Sequence, residues 1–283
     1  MTIADDDDIE RALDWRGKVI RCRECDHSAL NREGLCAKGK SCIRDRRARR
    51  VDRFLRENLT LADSYLDHPY FEVRACAAQY ASVFHLPPLL DDPEPEVRAV
   101  TTMRLPADRI RQMAFDEDTR VRVAAAARLQ GLDLMPLISD AEYMVRITAV
   151  RKMPVEMLPL VRHDPDPEVR TWVARRIDPR ALADMTFDSD AMVRCEVATR
   201  IPMDQLPLLL RDSDMRVRFT VAERIAEEEL FALLDDDEPI IRELAHERIA
   251  KVPALATRLA RHSGKPALSV VSNDVDPHEE SKS

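Results

Sequence analysis

Asp164-Pro165-Asp166-Pro167-Glu168-Val169-Arg170 is one copy of the pattern that decides the fold. Its Val-Arg pair recurs as Val73-Arg74, Val97-Arg98, Val121-Arg122, Val145-Arg146, Val193-Arg194 and Val217-Arg218, then as Ile241-Arg242, always 24 residues apart. Eight copies without an insertion or deletion define an array of structural repeats over residues 57–262. A repeat alone cannot bury its apolar face, so such units stack and share a continuous core.

The columns of the repeat carry physical assignments. Three residues ahead of the Val stands an acid in seven of eight copies: Glu94, Asp118, Glu142, Asp166, Asp190, Asp214 and Glu238. Pro95, Pro167 and Pro239 follow directly. An acid followed by proline reads as N-cap and N1, so a helix starts there, with negative charge at the favourable end of its dipole. The same acid precedes the Arg by four residues, the better orientation for an i,i+4 ion pair. Four and eight residues after the Val the columns are apolar, from Ala77 and Ala81 to Ala245 and Ile249, which is one buried helical face. Pro106, Pro154 and Pro202 then stop the helix.

The rest of each repeat holds a second apolar cluster, such as Leu134-Met135-Pro136-Leu137-Ile138 or Leu206-Pro207-Leu208-Leu209-Leu210. So short a segment with internal proline predicts a single turn or a 3₁₀-helix. A β-strand is the runner-up, but proline inside a stacked ladder would delete hydrogen bonds. The Arg and Asp columns predict capping and inter-repeat salt bridges, with a charged binding stripe as the alternative. Pro253 and Thr257 depart from the apolar columns, as expected of a terminal capping repeat.

Only five of 283 residues are Gly, and aromatics make up 5%. Rossmann enzymes, propellers and β-sandwiches consume more Gly than this, so the composition predicts an all-α protein. The net charge of −8 averages unlike parts. Residues 16–56 hold 14 Lys/Arg against five Asp/Glu, a net of +9, leaving −17 for the remainder. Residues 1–15 form an acidic N-terminal segment with Asp5 to Asp8 in a row, and residues 263–283 lack periodicity and read as a disordered tail. With no signal-like apolar stretch and no 18-residue apolar window, a cytoplasmic protein without membrane contact is expected.

In a reducing compartment, clustered cysteines read first as metal ligands. Cys22, Cys25, Cys36 and Cys42 follow the spacing C-x2-C-x10-C-x5-C inside a small domain at residues 16–56. Four thiolates suit either tetrahedral zinc or an iron–sulfur cluster. The wide second pair is unusual for a zinc knuckle, while the separated corners of a cube accept it. His27 could substitute as a ligand but reads as a neighbour, and Cys76 and Cys195 fall on repeat helices as small core or boundary side chains. Gly34 to Ser41 matches the Walker A pattern letter for letter. The polar stretch before it and the absence of βα alternation argue against a phosphate loop. Arg44 to Arg50 continues as a basic helix joining the cluster to the repeats. Docking and charge compensation, an acidic protein partner, and phosphate neutralisation on nucleic acid are the uses that its charge admits.

The D-x-D/E-x-x-V-R repeat behind a four-cysteine segment resembles the leucine-rich repeat variant (LRV) family of bacterial proteins, over roughly Asp14 to Arg261. The resemblance implies a right-handed α-solenoid of α-helices alternating with short 3₁₀-helices. It also implies that Cys22, Cys25, Cys36 and Cys42 ligate a [4Fe–4S] cluster. Some members are linked to nitrogen-fixation gene neighbourhoods, and no biochemical activity comes with the family. No G-x-S-x-G, H-E-x-x-H or glycine-rich nucleotide fold is present in the sequence. The expectation is therefore a non-enzymatic iron–sulfur scaffold that binds a protein partner and uses its cluster for redox or oxygen sensing, or for electron transfer. A zinc-binding nucleic-acid or protein adaptor is the alternative.

Overall fold

The computed structural model describes residues 12–262. The Asp5–Asp8 run and the tail at 263–283, for which disorder was expected, lie outside the described residues. Among the described residues there is no strand, only the isolated bridges Leu13↔Val19, Asp14↔Asp45 and Ala37↔Ser41.

The eight repeat helices are Phe71–Tyr80, Pro95–Arg104, Thr119–Arg128, Tyr143–Val150, Pro167–Arg176, Ala191–Arg200, Met215–Arg224 and Pro239–Ala250. Each opens two residues before its Val or Ile, so the acid column is the N-cap. Asp118, Asp190 and Asp214 accept backbone N–H groups of the first turn through their side chains. Glu94, Glu142 and Glu238 in the same column make no such bond. Glutamate is a methylene too long for the fold-back that makes aspartate a good cap. Prolines 106, 154 and 202 lie just past the helix ends, where they head the next segment.

That next segment is 3₁₀-helical after each of the first seven repeat helices, for example Gly131–Ser139, Val155–Val161 and Met203–Leu209, and the eighth is followed by an α-helix, Pro253–His262. The strand alternative is thereby set aside. A 3₁₀ turn closes on i→i+3 bonds and admits Pro136, Pro159 and Pro207 without breaking a ladder. The repeat Val column, the positions four and eight residues on, and Leu134, Leu137, Leu158, Leu182, Leu206 and Leu230 from the 3₁₀ segments are almost completely buried. Each α-helix thus buries one face against the short helix of its own repeat and against neighbouring repeats. This is an all-α solenoid of 24-residue repeats.

The chain divides into two compact units, Met1–Arg176 and Ile177–Ser283. In the first, four repeat arginines form two-point ion pairs with an Asp 18 residues downstream: Arg74–Asp92, Arg98–Asp116, Arg122–Asp140 and Arg146–Asp164, at 2.6–3.0 Å. In the second, Arg194–Asp212 and Arg218–Asp236 repeat it. The remaining guanidinium nitrogen donates to two carbonyls at the start of its own repeat, as Arg98 does to Asp92 and Pro93. The inter-repeat salt bridges expected of the Arg and Asp columns are therefore present, and the i,i+4 pair with the cap acid is not the one formed. The guanidinium points across to the next repeat, where a carboxylate meets its fork face-on, and the aspartates of the cap column serve helix amides instead.

The downstream Asp has a second task. Asp92, Asp116, Asp140, Asp164, Asp188, Asp212 and Asp236 each accept the backbone N–H of the cap residue two positions on. Burial alone would raise the carboxyls of Asp92, Asp140 and Asp212, but the guanidinium and this amide outweigh it and hold them below the ordinary carboxylate range. At Asp236 the Arg218 bond is the foremost cause of the same lowering.

A further ladder runs along the opposite ends of the helices. Arg104 donates to the carbonyls of Ala78, Gln79 and Ala81, Arg128 to Leu105, Lys152 to Ala127, and Arg176 to Val150 and Met153. In the second unit, Arg224 reaches Ala198 and Ile201, and Arg248 reaches Ala222. Carbonyls left over by a helix's last turn are thereby capped by a cation from the next repeat, at the end where the dipole favours positive charge.

Candidate metal centre

The cysteine segment is built from turns, each with a local cause. Gly17, at φ 77°, reverses the chain between Leu13 and Val19, and the Asp14 carboxylate locks the turn by accepting the N–H groups of Arg16 and Lys18. A 3₁₀ turn over Cys22–Glu24 follows, in which the Cys25 amide donates to the Cys22 carbonyl at 3.3 Å. This turn folds the first two cysteines back on one another. The short helix Ser28–Arg32 then ends at Gly34, φ 78°, with the Leu35 amide on the Leu30 carbonyl and the Gly34 amide on the Asn31 carbonyl. That pair of bonds is a Schellman stop, which needs a left-handed residue and returns the chain sharply. Asn31 donates to the Cys36 carbonyl at 2.9 Å and fixes the third cysteine.

Cys42 is buried with Ala12 and Ile20 in a small apolar cluster, while the other three cysteines are partly exposed. The basic helix, Ala48–Glu57, is anchored behind it by the buried pair Arg50–Asp45 at 2.9 Å and by Val51, Phe54 and Leu55. It packs on the first repeat helix, as the sequence reading expected.

The thiols of Cys36 and Cys42 each interact electrostatically with those of Cys22 and Cys25. Burial raises the Cys36 thiol, and Cys25 and Cys22 add to it, while the Asn31 side chain opposes. Burial pushes the Cys42 thiol up to about 11, opposed by a bond from the Arg44 amide and reinforced by Cys25, Asp45 and Cys22. Both later cysteines therefore feel both earlier ones. Among the described residues no three His, Cys, Asp or Glu side chains are gathered tightly enough for a single metal ion. The fit to an iron–sulfur group rests on the donor set: four cysteines, a backbone amide aimed at one sulfur, and no disulfide among them.

His27 takes no ligand's place here, because its Nε2 is bonded to the Tyr65 hydroxyl and its ring leans on Phe54. Sequence reasoning missed Tyr65, whose hydroxyl burial pushes up to about 12 with help from Cys25, Asp26 and Cys42. No local signal marked it, since it arrives from the first 3₁₀ segment, Leu59–Tyr65. It also missed the Asp45–Arg50 pair, for which the lone acid within a run of arginines was the available clue. The Walker-like match is disposed of by its own residues: Ser41 is buried and donates to Glu57 at 2.7 Å, and a helix rather than a strand precedes it. Cys76 is buried on its repeat helix and Cys195 is partly exposed on its own. No helix among the described residues is long and apolar enough to cross a membrane.

Comparison with known proteins agrees with this construction. The family described as "LRV protein FeS4 cluster" matches residues 12–64. A protein of Rhodobacter capsulatus, described as "Uncharacterized 27.7 kDa protein in nifB 3'region", is 50% identical over 95 residues, a match that spans 34% of this chain and 39% of that relative's length. A solved structure described as a leucine-rich repeat variant with a novel repetitive structural motif aligns at 36% identity and a TM-score of 0.75, covering 81% of this chain and 98% of its own. With 36% identity over a span that covers 98% of that solved chain, and the family match at residues 12–64, this protein is a member of the leucine-rich repeat variant family.

Proposed function

We propose that Cys22, Cys25, Cys36 and Cys42 hold a [4Fe–4S] cluster, and that the protein is a non-enzymatic cytoplasmic scaffold that binds a protein partner. The cluster, when bound, supplies one-electron chemistry for redox or oxygen sensing, or for electron transfer to that partner. The observation that supports this reading is the set of four free cysteines within one small turn-built segment that matches the FeS4 family description, with the Arg44 amide directed at the most buried of them. Burial of Cys42 beneath Ala12 and Ile20 keeps water from one side, and the chain's own turns hold the remaining thiols without help from a sheet. The relative whose description places it in a nifB 3′ region supports a nitrogen-fixation setting.

Anaerobic purification followed by iron, sulfide and zinc analysis tests the cofactor. Iron and sulfide in equal amount, with visible absorbance that bleaches on dithionite reduction, are expected. Stoichiometric zinc in a colourless protein would overturn the reading.

A further inference from the structure

The cluster domain has one opening beside a cysteine. A cleft of about 470 Å³ is bordered by Cys25, Trp15 and Tyr65, with Arg16, Lys18 and Arg44 on its rim. The other three cysteines do not line it. Those three cations are exposed, and of the nearby acids Asp26 is exposed while Asp14, Glu24 and Asp45 are engaged. Asp14 is buried and holds two backbone amides, Glu24 pairs with Arg21 at 3.1 Å, and Asp45 is locked to Arg50. Asp45 and Arg50 are buried as a pair, so the rest of residues 16–56 keeps the net of +9 at the surface. Four thiolates with an oxidised cube would contribute about −2, which leaves the sign unchanged.

Long exposed cations around an aromatic floor form a rim that meets another surface, where complementary charge sets encounter rate and partner choice. A pocket closing on a small molecule would instead offer a few fixed polar groups. Cys25 alone of the four cysteines opens onto this cleft, the arrangement that suits electron exchange with a docked protein. We infer that the Arg16–Lys18–Arg44 face over Cys25 docks an acidic one-electron carrier protein. This inference rests on the proposed cluster. The step it serves moves one electron between the carrier and the cluster, one gaining what the other loses, with no bond made or broken.

The test uses the full-length protein purified anaerobically, with an acidic [2Fe–2S] ferredoxin of the plant type as probe, a basic cytochrome c as charge control and duplex DNA as competitor. Affinity is measured by calorimetry at low and high salt for the wild type, for Arg16→Glu/Lys18→Glu, and for that pair with Arg44→Glu added. A control of equal charge change, Arg109→Glu/Arg180→Glu/Arg211→Glu, reverses exposed arginines on the repeats. Ferredoxin binding that weakens about tenfold or more in the rim variants and with salt, but about twofold or less in the control, is the expected result. Iron content and the thermal melt of each variant show whether it is folded and loaded, and the double variant leaves Arg44, two residues from Cys42, untouched. Equal loss in the control, tight binding of cytochrome c, or DNA displacing ferredoxin with the same dependence on the rim would overturn the inference. A cluster that dithionite does not reduce would sink the proposed function instead. Reduction by dithionite with no rim-dependent electron uptake from reduced ferredoxin would sink the docking face alone.

Discussion

The repeats and the cysteine segment solve the same problem, a fold with little regular hydrogen bonding between elements, by opposite means. In the repeats every contact is reused: one Arg–Asp pair, one cap, one arginine on the preceding helix end, copied from unit to unit. In the cysteine segment nothing is reused. Gly17, Gly34 and Gly39 each sit at positive φ in a different turn, and Asp14 and Asp45 each hold one bend. A repeated contact can fail once and leave its copies standing, whereas a single-use contact has no substitute. The difference predicts unequal sensitivity.

The largest effect is expected in the cysteine segment. Cys42→Ser should abolish iron retention, read by iron analysis, while the far-ultraviolet circular dichroism of the repeat helices persists. Collapse of both signals together would break the distinction between the regions. Next comes a buried rung: Arg146→Ala leaves Asp164 buried and unpaired and should cost about 3–5 kcal/mol in urea denaturation. Arg216→Ala, which removes a solvent-screened pair to Asp214, should leave the urea midpoint nearly unchanged.

Acid acts on all the lowered carboxyls of the ladder. Because Asp92, Asp140, Asp212 and Asp236 titrate lower in the folded chain than unfolded, their contribution is full above the ordinary carboxylate pKa and is lost as pH falls through the lowered values. Urea midpoints measured from about pH 5 to about pH 2 should fall steadily. The same series on Asp236→Asn should begin lower and fall less. Smaller again, Gly34→Ala should cost about 1–2 kcal/mol from its left-handed backbone alone, since a Cβ there would meet nothing within 4 Å. Smallest is the contrast within the cap column: Asp118→Ala should cost about 1 kcal/mol, and Glu94→Ala, which lacks the side-chain bond, a few tenths.

The same contrast explains what could be read from the residues. Each repeat column offers several samples of one environment, so helix starts, proline stops, the buried face and the 3₁₀ segments were legible. The partner of the repeat Arg was not, because i,i+4 reasoning is local while the true partner sits 18 residues away and is brought near only by stacking. Inter-repeat salt bridges between the Arg and Asp columns were expected and form, but which Asp answers which Arg, from Asp92 to Asp236, could not be read from spacing alone. In the cysteine segment the four thiols were legible as a set from spacing and residue type. Tyr65 against His27 was not, since one instance of a tyrosine 38 residues away has no column to reveal it. The basic helix also proves less uniform than its composition: Arg50 is spent on Asp45, so tests of its charge belong on Arg46 and Arg49.

The two arginine ladders gauge the chain. One reaches 18 residues forward to a carboxylate, and the other reaches 23 to 26 residues back to helix-end carbonyls. Between them they measure every segment of a repeat, the 3₁₀ turn included. A single inserted residue would leave at least one guanidinium short of its mark, and no neighbouring site could absorb the error. The length of such an array is therefore quantised: it can gain or shed a whole 24-residue step, and nothing smaller fits.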